Sequence, residues 1–248
     1  MPQLDQLTDA PAVSRSTIFN SEVLDNPIWN ALNTEHSALA LGGGLARRYP
    51  AEIGPLSGLV GQTDAAYEEL REQAGPEGVV AQFLESPWEP RPGWELVRDG
   101  LMSQMIWSGG ARPNSFLPAN ATLRLLAAAD APAMLELAKL TEPGPFGRRT
   151  HELGTFFGIF EADRLVAMAG QRIHLPGFTE VSAVCTHPDA RGRGYARAVM
   201  LEVIAEIARR GETAFLHVFA ANEAAIRVYE GLGFERRRGL YLAVLKAV

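Results

Sequence analysis

The clearest pattern of apolar and polar positions lies in the second half of the chain. From Tyr195 to Arg210 the apolar residues Ala196, Val199, Met200, Val203 and Ile207 recur at helical spacing, which predicts an amphipathic helix. Short apolar runs around it predict strands at 121–126, 155–161, 164–173, 178–186, 213–219, 234–237 and 240–245. Ala162-Asp163 marks a hairpin between the second and third of these. A helix is expected from Asp130 to about Leu140, and another from an Asn222 cap to about Gly231. The stretch 141–150, which holds two prolines and two glycines, reads as loop.

The first half is less regular. Asn26-Pro27 predicts an N-cap followed by proline at the first helical position, opening a helix to about His36. Strand pieces at 38–41 and 45–49 flank Gly42-Gly43-Gly44. That triple glycine lacks a following Lys-Ser/Thr, so it reads as a turn and not as a phosphate loop. A second helix is expected over 64–73, ended by Gly75-Pro76, and a buried strand over 78–84. Residues 94–98 and 101–107 flank Asp99-Gly100, a hairpin signal. Residues 1–20 read as a loose polar arm, and the Gly-, Pro- and Ser-rich stretch 109–120 as a linker. The expectation is therefore an α/β (α+β) protein with a mixed N-terminal domain over 1–115 and a second domain over 119–248.

Composition narrows the function classes. With 248 residues and 47% hydrophobic content, the chain can bury a sizeable core. A formal net charge of −6 argues against nucleic-acid binding, which needs a basic stripe. The single cysteine, Cys185, allows no intrachain disulfide and fits a reducing, cytoplasmic setting. No run approaches the length of a membrane span, and residues 1–20 lack the character of a signal peptide, so no membrane partner is expected.

Candidate chemistry centres on Arg191-Gly192-Arg193-Gly194-Tyr195-Ala196, between a strand and a helix. Two glycines let backbone N–H groups converge, and the helix start adds unpaired N–H groups and the positive end of its dipole. Such a turn can hold a pyrophosphate, with Arg191 and Arg193 adding charge, or it can be a basic surface turn. Arg197 stands where a dinucleotide fingerprint would place its third glycine or alanine, so a Rossmann reading is poor.

The run from Val184 through Ala196, with the elements Arg191-x-x-Gly194-x-Ala196, resembles the acetyl-CoA-binding segment of GNAT superfamily N-acetyltransferases. A second signature, Asn222-x-x-Ala225-x-x-x-Tyr229-x-x-x-Gly233-Phe234, is similar to theirs as well. The resemblance covers about residues 119–248. It implies a mixed, mostly antiparallel sheet flanked by helices, with the first half an added domain or a degenerate copy of the same fold. It also implies that the strand ending at Thr186 splays from 213–219 and that the pantetheine arm of acetyl-CoA lies in the gap. Val184, Cys185 and Thr186 would meet that arm, one backbone N–H polarising the thioester carbonyl. Arg191, Gly192, Arg193, Gly194, Tyr195 and Ala196 would hold the pyrophosphate, and Asn222 would reach the cofactor arm or simply cap its helix.

Tyr229 lies two helical turns after Asn222, so both are expected to face the groove, and its phenol would protonate the leaving thiolate. Period-two phasing puts Glu180 on the same strand face as Val184 and Thr186, and Cys185 on the other. Some family members carry a catalytic Glu at this strand position, which implies Glu180 as the base for the acceptor's proton, directly or through water. Cys185 reads as a small buried hydrophobe, His187 as a loop-shaping residue, and His217, in the splaying strand, as lining the site or satisfying a backbone group. Phe146, Arg148 and Arg149 sit in the loop that commonly lines the acceptor pocket in the family. His151-Glu152 lacks a second histidine at helical spacing, so no metal is expected. The resemblance implies an acyltransferase moving acetyl to a primary amine, small or peptidic, in a ternary complex; homodimerisation is compatible with it. An inactive acyl-CoA-binding or sensing module is the alternative, and a structural or interaction protein a further one.

Overall fold

In the computed structural model, residues 20–110 and 117–248 are described. The expected arm over 1–20 falls almost wholly outside them, as does the middle of the expected linker. In the first half, α1 (Pro27–Asn33) precedes three short antiparallel strands, β1 (Leu41–Gly43), β2 (Ala46–Arg48) and β3 (Ser57–Leu59). Helix α2 (Asp64–Ala74), β4 (Val79–Leu84) and β5 (Trp94–Trp107) follow. The second half contains β6 (Ala121–Leu125), α3 (Ala131–Thr141), β7 (Phe156–Glu161), β8 (Arg164–Leu175) and β9 (Phe178–Thr186). It ends with α4 (Tyr195–Arg209), β10 (Thr213–Phe219), α5 (Glu223–Glu230) and β11 (Phe234–Ala247).

Eight strands form one sheet in the order β4-β11-β5-β10-β9-β8-β7-β6. Only β9 and β10 pair in parallel within it, as a strand–helix–strand crossover through α4 requires. Strand β5 of the first half lies between β10 and β11 of the second, and β11 in turn pairs with β4. The boundary expected between 115 and 119 therefore lies between strands of a single sheet. The halves also echo one another. In each, a run of antiparallel strands, three in the first half and four in the second, leads into a helix, a strand parallel to the last of the run, and a final long antiparallel strand; in the first half the parallel contact is a lone Leu56–Ala81 bridge.

Two expected breaks are absent. The hairpin across Asp99-Gly100 does not form: 94–107 is one continuous strand, paired along its length with β11. A two-residue hairpin turn needs positive φ, which neither Asp99 nor Gly100 adopts. Gly100 instead lets the Phe219 ring approach, for a Cβ there would stand 2.8 Å from it. Likewise 234–237 and 240–245 are one strand, with a register shift at Arg236–Arg238. Asn26 precedes α1 as expected, yet its amide donates to the Leu59 carbonyl (2.7 Å) and makes no cap bond.

Helix α4 buries Ala198, Val199, Met200, Val203 and Ile207 against one face of the sheet. Helices α1 and α3 cover the opposite face, packing around Ile28, Leu32, Ile173 and Phe215 and around Met134, Met168 and Cys185. The first half also pins the loop after α3. Arg149 N–H donates to the Glu52 carbonyl (2.9 Å), and the Thr150 hydroxyl to the Ile53 carbonyl (2.5 Å).

His36, 6% exposed, accepts a hydrogen bond from the Tyr49 hydroxyl at its Nδ1 (2.7 Å) and stands edge-on to His174 of β8. Burial, helped by His174, depresses its pKa from 6.5 to about 4. A histidine depressed in the folded state contributes stability that is complete above pH 6.5 and is lost as pH falls toward 4. Urea unfolding should show roughly 2 kcal/mol less stability at pH 5 than at pH 7.5 from this residue. In His36→Gln that pH-dependent increment should vanish; an unchanged slope would exclude His36 as its source.

Candidate active site

The central geometry is the parting of two parallel strands. β9 and β10 pair through Thr213–Phe178, Ala214–Thr179 and Phe215–Glu180, and no further. Beyond Glu180 they diverge, leaving backbone N–H and C=O groups along both edges unpaired by each other. The expected splay is present.

Within the diverging stretch β9 carries an extra residue. Met168 and Gly170 of β8 face Cys185 and Ser182, so three steps on β9 match two on β8, and Ala183 takes φ +52°. This bulge reverses the strand's phase. Val181 and Val184 both pack toward α4, whereas Ala183 and Cys185 pack toward α3. Glu180 consequently lies on the face opposite Val184 and Thr186 and shares that of Cys185, which corrects the period-two expectation. Strict alternation cannot show a bulge, because the extra residue has no signature in apolar periodicity.

After β9, Pro188–Ala190 makes one 3-10 turn, held by Asp189 N–H donating to His187 Nδ1 (3.2 Å). Gly192 and Gly194 follow with φ of +76° and +78°, values costly for any side chain. A Cβ at either would meet nothing within 4 Å, so these glycines serve backbone conformation beside open space, not close packing. Gly194 is the N-cap of α4 and makes no side-chain cap bond, so the helix presents its first N–H groups to the groove.

That groove, of about 760 Å³, is lined by Val184, Cys185, Thr186, Arg191, Gly192, Gly194, Tyr195, Ala196 and Tyr229, all sequence-nominated. Ala225 of the second signature lines it too, as do Thr141, Arg197, Arg227 and Val228, which the sequence does not single out as site residues. Arg197 is two residues into α4 and Arg227 is on α5, so the helices, not the loop alone, supply cations. Arg193 is not among the lining residues. It pairs with Glu161 (2.5 Å) and donates to the Asp189 carbonyl (2.8 Å), while Tyr195 donates to the same Glu161 (2.7 Å). Asn222 is also outside the lining; its side chain accepts from Ala225 N–H (3.2 Å), the capping role.

Tyr229 packs beside Phe234, and burial pushes its pKa up to about 12. The Cys185 thiol is raised to about 11 by burial, so it is a neutral wall of the groove. Thr186 Oγ1 is buried there without a partner. Glu180, fully buried, accepts from Arg172 at both oxygens (2.7 and 2.6 Å) and from His217 Nδ1 (2.7 Å). Burial opposes its charge, but Arg172 outweighs that, with help from His217, and holds the carboxyl at about 2. Of the loop after α3, Phe146 packs on Phe156, Arg149 pairs with Glu152 (2.7 Å), and Arg148 is exposed.

A groove with a glycine cradle, a helix start and parted strands invites comparison with known proteins. The FR47-like protein family matches residues 156–242. The [ribosomal protein bS18]-alanine N-acetyltransferase of Salmonella typhimurium is 31% identical over 134 residues, spanning 48% of this chain and 86% of that protein. A solved GNAT-family structure from Novosphingobium aromaticivorans is 37% identical, covers 91% of this chain and 98% of its own, and superposes with a TM-score of 0.82. The chain belongs to the GNAT family of N-acetyltransferases. A mycothiol acetyltransferase of Thermobispora bispora is 36% identical over 89 residues, 32% of this chain and 30% of that relative. The Novosphingobium match extends well into the first half, so that half is shared with another GNAT protein.

The family's acyl donor is acetyl-CoA, and the residues present suit it. Open space over Gly192 and Gly194, the unpaired start of α4, and Arg191 and Arg197 fit a pyrophosphate. The parted strand edges fit the amides of a pantetheine arm. Among the described residues no three metal-ligating side chains cluster. No described helix is long and apolar enough to cross a membrane. Gly194→Ala forces a side chain into the left-handed region at about 1 kcal/mol or more. Calorimetry should then show acetyl-CoA binding weakened by about tenfold in a protein that still folds.

Proposed function

We propose that the protein transfers the acetyl group of acetyl-CoA to a primary amine by direct attack in a ternary complex. The observation that carries this reading is the parting of β9 and β10 after Glu180, beside the Gly192–Gly194 cradle and with Tyr229 on the wall. The Salmonella relative, whose name gives alanine of ribosomal protein bS18 as its acceptor, supports an amine as nucleophile.

Acetyl-CoA supplies the activated acetyl group. In this reading Arg191, Gly192, Gly194, Tyr195 and Ala196 hold the pyrophosphate, with Arg197 adding charge. Backbone groups of 184–186 align the arm, and one N–H there polarises the carbonyl oxygen. Arg193 acts through Glu161 by fixing the loop, and Asn222 by starting α5. Tyr229, kept protonated by burial, donates its proton to the departing sulfur. The amine's proton passes to water in the open groove, because Glu180 already accepts three hydrogen bonds and binds a proton poorly. The first half, with its echo of the strand order, is a degenerate copy of the same fold that packs against the face carrying Glu180.

Release of CoA thiol in the presence of a panel of amines and N-terminal peptides tests the reaction. Acetyl-CoA binding without thiol release on any of them would favour a sensing module instead. Tyr229→Phe should lower kcat by about 100-fold with acetyl-CoA KM nearly unchanged. With the phenol pKa near 12, the wild-type rate should show no alkaline fall from this group below about pH 11.

A further inference from the structure

Two parallel strands that stop pairing after three residues have no backbone hydrogen bonds to fix the angle at which they part. Something else must set it. On the sheet face opposite α4, five side chains run across five neighbouring strands in spatial order. Arg172 on β8 donates twice to Glu180 on β9 (2.7 and 2.6 Å), and His217 Nδ1 on β10 meets Glu180 at 2.7 Å. Gln104 on β5 meets His217 Nε2 at 3.0 Å, and Arg237 on β11 donates to Gln104 Oε1 at 2.8 Å.

We propose that this row is a brace that sets the divergence of β9 and β10, and thereby the width of the acetyl-CoA groove. The proposal rests on the reading of that groove as the acetyl-CoA site. Glu180 is the last paired residue of β9, and His217 lies two residues past Phe215, the last paired residue of β10. Their hydrogen bond therefore spans the gap at its vertex. The side chains of Glu180, His217 and Gln104 are fully buried, so none contacts a groove ligand, and all five act as positioning residues.

The polarity of the row is fixed from end to end. Arg237 can only donate, so Gln104 turns its oxygen to Arg237 and its amide nitrogen to the Leu24 carbonyl (2.8 Å) and to His217. His217 Nε2 then accepts, which leaves a proton on Nδ1 for Glu180. Glu180 in turn takes both Arg172 donors. Every member has one arrangement that satisfies its neighbours, and a buried network so satisfied is rigid. Arg237 is further tied to Asp25 (2.6 Å) and to the Ser21 carbonyl (2.9 Å), so the first half anchors the far end.

Acetyl-CoA affinity, read by calorimetry well below each variant's melting temperature, tests the brace without any need for turnover. Gln104→Met, on a strand that does not border the gap, removes three hydrogen bonds and should weaken binding about tenfold, the factor carried by its bond to His217 alone. His217→Leu should weaken it at least as much, and His217→Gln, which can both donate to Glu180 and accept from Gln104, should restore most of the loss. Glu180→Gln should weaken binding while leaving in place any fall of kcat toward acid pH measured for the wild type. Folded Gln104→Met with wild-type affinity overturns the proposal. So does a Glu180→Gln variant that binds normally but loses the wild type's fall of kcat toward acid pH, since Glu180 would then be the proton acceptor. If His217→Leu does not fold, the Gln104→Met and His217→Gln comparisons decide. Wild-type protein that binds no acetyl-CoA would overturn the acetyltransferase reading itself, an outcome visible before any variant is made.

Discussion

The structure depends on one pairing above all, the antiparallel ladder between β5 and β11. Each is fourteen residues long, and they join over their whole length although they come from opposite halves of the chain. With β10 on the outer edge of β5 and β4 on the outer edge of β11, neither half has a closed sheet without the other. Long-range ladders of this kind satisfy backbone groups that would otherwise face water or a partner chain. They also make β10 a strand with two different neighbours: β5 along most of its length and β9 along only three residues. The groove lies where the first of these pairings continues to the end of β10 and the second has stopped.

Around that asymmetry the two faces of the sheet divide their tasks. The α4 face carries the Gly192–Gly194 turn, Val184, Thr186 and Tyr229, beside open space. The other face is sealed by the first half together with α3 and holds charge that is neutralised internally. Arg172 with Glu180 is a buried ion pair, of a kind costly to break and of modest net worth to fold stability. Its arrangement, with His217 and Gln104 completing the hydrogen bonds, suits geometric specification better than it suits proton transfer. A carboxylate held near 2 with three donors is a fixed point, and the bulge at Ala183 puts it on the face opposite Val184 and Thr186.

The loop chemistry shows a similar separation of near and far. Arg191 lines the groove, whereas Arg193, two residues on, is bound by Glu161 of β7 and keeps the loop in shape together with Tyr195. Thr141 enters the groove from the end of α3, whose following loop is held in place by backbone contacts with Glu52 and Ile53. The first half thus holds the loop after α3, although among the described residues no side chain of that half lines the groove.

By itself the sequence determined the elements whose information is local. The amphipathic spacing of α4, the Asn222 cap, the two glycines with positive φ and the Ala162-Asp163 turn all act within one helical turn or one hairpin. That was enough to place the glycine turn at the start of α4 and Tyr229 beside one groove, and to identify the family. What only the tertiary structure decided is everything set by pairing at long range. Asp99-Gly100 has hairpin chemistry, yet β11 offers a full-length partner and the strand runs straight through. Glu180 has the right spacing for one face, yet a bulge that only the β8 pairing reveals moves it to the other. Arg193 and Glu161 are thirty-two residues apart, and Glu180 and His217 thirty-seven. Apolar periodicity records which way a side chain faces within its own element; it holds no record of which distant charge will be waiting there.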